Sequence, residues 1–147
     1  MTAAAEPPPP QLAEFVALYR AGRFFDAHEV LEEVWRRSEE PPMRFLQGLI
    51  QWAVAFEHHR RGNAHGARVL LDRAWSRLKD SPDGYMGLDL SAWRAARPAL
   101  ADAFARWELG GPRPEVEAPP IAGAGVGWGA TPPGRRGRRE RPAGGGG

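Results

Sequence analysis

Apolar positions between residues 11 and 108 recur at intervals of three and four, and nowhere alternate as a half-buried strand requires. Leu12, Phe15, Val16 and Tyr19 predict a first amphipathic helix that stops at Gly22. A second begins at Asp26 or just before it and runs to Arg37. The SEEPP segment at 38–42 ends it, because a residue before proline avoids helical geometry. A third helix is expected from Met43 to Arg61, stopped by Gly62, and Asn63 is placed to cap a fourth. Ala67, Leu70, Leu71, Ala74, Trp75 and Leu78 form the apolar stripe of that fourth helix, and KDSPDG at 79–84 reads as a turn. A last helix follows, capped by Ser91, with Trp93, Leu100, Phe104 and Trp107 turned inward. Pro98 is expected to kink or split it.

The chain echoes itself at a spacing of 40 residues. Gly22, Ala27, Leu31 and Trp35 in RAGRFFDAHEVLEEVW match Gly62, Ala67, Leu71 and Trp75 in RRGNAHGARVLLDRAW. Each copy reads as helix, glycine turn, helix. Two hairpins are fewer than a solenoid needs. The expected fold is therefore all-α, a compact bundle of about five helices built around two helix-turn-helix hairpins, with disordered termini.

Polar residues interrupt the second and third helices. With Phe24 at zero and about 100° per residue, His28 falls near 40° and Glu32 near 80°, at the edge of the apolar arc. Glu29 and Glu33 fall near 140° and 180°, on the opposite face. With Phe45 at zero, Gln47, His58 and Gln51 fall within about 40° of one another on a helix that is otherwise apolar nearly all round. Gly48 and Ala55 lie beside them and would let another backbone approach. The preceding helix is the natural partner, so the two polar stripes are expected to face each other.

Three chemistries fit that set. His28, Glu32, Gln47, Gln51 and His58 hold enough donors and acceptors to satisfy one another as a network that fixes helix register. His28 and Glu32, four apart, could instead share a divalent transition metal with His58 as a third ligand. HEVLE is not the two-histidine zincin motif, because Glu32 stands at the second histidine. A small-molecule pocket or a metal-free acid–base site would use His28 and His58 for proton transfer, with Glu32 orienting one of them. His59 and His65, near helix ends, are expected to be solvated, and the tryptophans at helical spacing to serve the core.

Composition narrows this picture. Fifteen prolines and eighteen glycines concentrate at the two ends, so residues 1–10 are expected as a disordered leader, 11–108 as the domain, and 109–147 as a disordered tail rich in proline, glycine and arginine. There is no cysteine, which excludes disulfides, zinc–thiolate sites and thiol chemistry. No secretory signal and no membrane-spanning run is visible, so a cytoplasmic protein is expected. Residues 110–147 carry six arginines and three glutamates, enough to account for the whole net charge of +2. Arg135, Arg136, Arg138, Arg139 and Arg141 form a cluster suited to nonspecific RNA contact, although no aromatic residues interleave it.

FDAHEVLEEVWR, followed by FLQGLIQWAVAFEHHRRGNAHGARVLL, resembles the domain of unknown function 309 family. The resemblance covers Phe24 to Leu78 and extends to YMGLDL at 85–90. It implies a small all-helical fold with no established activity. Its motif positions fall on His28, Glu29, Glu32, Trp35, Gln47, Gly48, Gln51, His58, Gly62, Asn63, Gly66 and Ala67. The expected function is a binding or scaffold module with an interhelical polar site, recognising a protein or a small molecule. A metal-dependent or acid–base enzyme using His28, Glu32 and His58 is the alternative.

Overall fold

In the computed structural model, which describes residues 8–123, the chain is all-α, as its periodicity predicts. Helix α1 spans Pro10–Arg20, α2 Phe24–Arg36, α3 Pro42–Arg61, α4 Ala64–Leu78 and α5 Ser91–Glu108. Prolines open α1 and α3, where the missing N–H has no intrahelical partner to lose. The 40-residue echo is structural. Gly22 and Gly62 both take left-handed backbone (φ 78° and 84°) at the turns into α2 and α4. Ala27 and Ala67, and Leu31 and Leu71, are fully buried. Asn63 caps α4 as expected, its side-chain oxygen accepting from the Gly66 N–H at 2.9 Å.

Helix α3 lies between α2 and α4 and buries residues around most of its circumference. Trp52 of α3 and Trp93 of α5 stack in the core, ring centres 4.4 Å apart and nearly parallel, with no exposure at either. Trp75 is also buried, while Trp35 and Trp107 are half-buried.

Two local expectations change. Helix α5 is not split at Pro98, whose exposed position leaves the freed carbonyl four residues earlier on the solvent side. The start of α5 is held by Asp89 rather than by the Ser91 side chain, since the Asp89 carboxylate accepts from the Ser91 N–H at 2.9 Å.

The segment after residue 108, expected to lie outside the domain, is packed on it as far as residue 123. Arg113 donates to the carbonyls of His59 and Arg60 at the end of α3, where helix carbonyls lack partners. Pro119 offers its carbonyl to the Tyr19 hydroxyl at 2.6 Å and to the Trp93 indole at 3.2 Å. Ile121 is buried, its carbonyl held by Arg20. Ala122–Gly123 (β2) then pairs antiparallel with Leu88–Asp89 (β1). Composition could not show this strap, because it is held by main-chain acceptors and one buried isoleucine. Most of the expected leader, the rest of the tail and the arginine cluster at 135–141 lie outside the described residues.

Candidate functional site

On α2 the helical wheel ranks exposure correctly. Glu29 and Glu33 are exposed, while His28 and Glu32 are half-buried. His28 Nδ1 donates to the Phe25 carbonyl at 2.7 Å, and its Nε2 lies 3.9 Å from Glu32 Oε1. Glu32 also meets Arg36 at 3.5 Å. The ring of Phe25, itself exposed, contacts His28 edge-on, and Arg61 of α3 lies over it at 5.9 Å.

The α3 stripe does not face α2, and this corrects the expectation that the two stripes meet. Gln47 accepts from Arg77 of α4 at 2.9 Å. Beside it, Gly48 lies so close to α4 that an added Cβ would sit 2.6 Å from Leu78 and 3.3 Å from the Ala74 carbonyl. His58 packs against Gly66, where a Cβ would come within 2.7 Å of its ring. The small residues do admit a second backbone, but it is the following helix. Gln51 Oε1 is shielded from solvent without a hydrogen-bond partner, and so is the Trp35 indole N–H. Each such group costs about 1–3 kcal/mol.

His58 belongs to a turn lock. Asn63 commits its oxygen to Gly66, which turns its amide N–H toward His58 Nδ1 at 3.1 Å. Nδ1 must therefore accept, so the ring is neutral with its proton on Nε2. Burial first, then the Arg61 charge, holds this imidazole below its usual range, with Glu57 pulling the other way. The His58, Gly62, Asn63 and Gly66 part of the motif thus shapes the α3–α4 turn.

His58 is consequently not gathered with His28 and Glu32. Among the described residues no three histidine, aspartate or glutamate side chains are grouped to hold a metal ion. His28 and Glu32 form a two-residue pair on one helix. Four of the five, His28, Glu32, Gln47 and His58, make separate local contacts, and Gln51 Oε1 is left without a partner.

Three features escaped the wheel. Glu57 is a buried carboxylate clasped by Arg60 and Arg61 at 2.7 and 2.6 Å. Burial raises its carboxyl, but the two guanidiniums outweigh burial and hold it below the usual carboxylate range. Its signal was the E-x-x-R-R spacing, one helical turn. His59, expected to be solvated, is half-buried instead, bonded to the Pro114 carbonyl at 2.8 Å and stacked on Phe104. The strap that covers it is invisible to helical periodicity.

The third feature is a pocket of about 440 Å³ where the start of α3, the end of α4 and the start of α5 meet the 81–90 segment. Phe45, Leu78 and Leu88, all buried, form its apolar wall, and Tyr85 stands edge-on to Phe45 with centres 4.8 Å apart. Asp89 and Arg94 contribute charge. Three left-handed positions flank Tyr85 in the chain, Gly84 (φ 75°), which lines the pocket, and Met86 (φ 54°) and Gly87 (φ 80°), which follow it. A non-glycine residue at φ 54° is sparsely populated backbone of the kind that clusters at binding sites. The sequence signal was the YMGLDL segment, which the resemblance reached but periodicity passed over.

Comparison with known proteins joins the motif residues to a family. The family described as Domain of unknown function (DUF309) matches residues 12–70, which run from α1 into α4. The chain belongs to this DUF309 family. The matched span contains the motif residues of α2–α4 and Phe45, whereas Tyr85, Asp89 and Arg94 of the pocket lie beyond it. An uncharacterized protein of Aquifex aeolicus (strain VF5) is 31% identical over 107 residues, 72% of this chain and 31% of that protein. The uncharacterized protein YpuF of Bacillus subtilis (strain 168) is 42% identical over 67 residues, 43% of this chain and 37% of that protein. The chain thus spans about a third of the length of the curated relatives it matches. A crystallised conserved hypothetical protein of Thermus thermophilus is 36% identical with a TM-score of 0.54, covering 67% of this chain and 98% of that one. This DUF309 chain is therefore an uncharacterised protein among uncharacterised relatives. No helix among its described residues is long and apolar enough to cross a membrane.

Proposed function

We propose that this chain is a small cytoplasmic binding module and that the pocket between α3, α4, α5 and the 81–90 segment is where it takes a small molecule. The observation that carries this reading is the combination in one cavity of buried apolar walls with polar groups not consumed by the fold. Its volume falls within the roughly 300–1,000 Å³ of small-molecule sites. The Tyr85 hydroxyl has no hydrogen-bond partner among the described residues, and burial raises its pKa, so it stays protonated and able to donate. The chain has no cysteine that would call for an oxidising compartment. Of the half-buried residues of the family motif, His28, Glu32, Gln47 and His58 each already contact a neighbouring group, which supports a structural part for them rather than turnover.

A fragment screen on the ¹⁵N-labelled full chain tests this. Hits should shift the amides of Tyr85, Leu88 and Ser91, and Ser81→Phe, which fills the pocket from its rim, should remove those shifts with the melting temperature held. Hits that map to His28 and Glu32 instead would move the site to the outer face of α2.

A further inference from the structure

The pocket's charges are unequal. Asp83 lies exposed on its rim with no ion pair or hydrogen bond among the described residues. Asp89 stands on the same rim, and its bond from the Ser91 N–H holds the carboxyl below the usual carboxylate range, so it is ionised at neutral pH. Among the described residues the one cation in the lining, Arg94, is already engaged. Its guanidinium lies 5.1 Å over the Trp75 ring and donates to the Lys79 carbonyl at 3.3 Å. The adjacent Lys79 pairs with Asp80 at 3.1 Å. The N-terminus of α5 also opens here and by itself would favour an anion, but Asp89 occupies its first N–H. Behind this acidic rim stand two aromatic rings, Phe45 and Tyr85.

We propose that the pocket selects an organic cation, an amine carried on an aromatic or otherwise apolar body, with Asp83 and Asp89 receiving the charge and Phe45, Tyr85 and Leu88 the body. This rests on the reading of the cavity as a small-molecule site. An ammonium head gains from both carboxylates and from nearby aromatic rings, whereas a carboxylate head meets two like charges. The carboxylates are solvent-exposed, so the preference is screened by salt.

The test is an NMR titration of the ¹⁵N-labelled full chain with benzylamine, benzyl alcohol and benzoate, read at the amides of Gly84, Leu88 and Ser91. Benzylamine should bind about tenfold more tightly than benzyl alcohol, with benzoate weakest, and about 1 M salt should shrink the gap. In the Asp83→Asn, Asp89→Asn double variant, benzylamine should fall to the level of benzyl alcohol, and benzyl alcohol should be unchanged. An amide at position 89 keeps an oxygen to accept from the Ser91 N–H, so the start of α5 is preserved. Benzoate binding more tightly than benzylamine, or a benzylamine preference that survives the double variant, overturns the charge selection and leaves the cavity as a binding site. If none of the three probes shifts these amides, the cavity reading falls and the cation proposal with it.

Discussion

Tyr19, Trp52 and Trp93 carry polar atoms into the centre of the bundle, whereas His28, Glu32, Gln47 and His58 carry theirs only to its margin. The central set is fully connected. The Trp52 N–H donates to the Tyr19 hydroxyl at 3.1 Å, and Tyr19 and Trp93 both donate to the Pro119 carbonyl. Burial pushes the Tyr19 phenol far above its usual range, so it serves only as a neutral donor and acceptor. The marginal set is satisfied piecemeal by a neighbour on the same helix or the next one. The difference teaches that an aromatic residue can take a polar atom into a core if a backbone carbonyl arrives to meet it. Here the strap brings that carbonyl from 100 residues away in the chain. Histidine, glutamate and glutamine at the border of a helix face instead settle for what is close.

Tyr19→Phe strikes the central network where most of its bonds meet. That change orphans the buried Trp52 N–H and removes one of two donors from Pro119, so unfolding free energy should fall by about 2–3 kcal/mol. Hydrogen exchange at residues 121–123 should accelerate. A loss below about 0.5 kcal/mol would mean that the strap is not held by this network.

A smaller effect is expected on the marginal side. Gly48→Ala forces Leu78 to move and crowds the Ala74 carbonyl, for roughly 1–2 kcal/mol in chemical denaturation. An unchanged midpoint would show that α3 and α4 can separate without cost.

Next is the turn lock. Asn63→Ala removes the α4 cap and should cost about 1 kcal/mol. His58 adds a pH dependence whose sign follows from its depressed folded-state value. The unfolded chain binds the proton more readily, so the stabilisation is present above about pH 6.5 and is lost as pH falls through the lower folded value. Melting temperatures measured between about pH 7.5 and 5.5 should fall in the parent, and His58→Gln should flatten that fall. An equal fall in the variant would place the titration elsewhere.

The smallest effect belongs to Glu32→Gln, which weakens contacts at 3.5 and 3.9 Å on a partly exposed helix face and should change stability by under about 0.5 kcal/mol. A loss several times larger would restore His28 and Glu32 to a structural or functional centre.

Much of the fold was legible because helix formation is local. The apolar spacing of α4, the left-handed glycines at 22 and 62 and the Asn63 cap each depend on residues within a turn or two. The exposure of Glu29 and Glu33 against His28 and Glu32 was legible for the same reason. The neighbour of the Gln47–His58 stripe was not. Periodicity sets the angles between side chains of one helix but carries no information on which side the next helix packs. Gly48 announced a close approach without naming Leu78 and Ala74 as its source. The pocket escaped notice because its residues come from five separate segments, Gly123 of the strap among them, and its turns have no period.

Five helices, their turns, their buried faces and membership of a family could all be read from the chain alone, because each follows from short-range geometry and motif spacing. Packing settled the rest. It turned the polar stripe of α3 toward α4, closed residues 109–123 over Tyr19 and Trp93, and set an acidic rim around an aromatic pocket. Those features depend on contacts between distant segments, where the burial gained by packing chooses among arrangements that local propensity leaves equal.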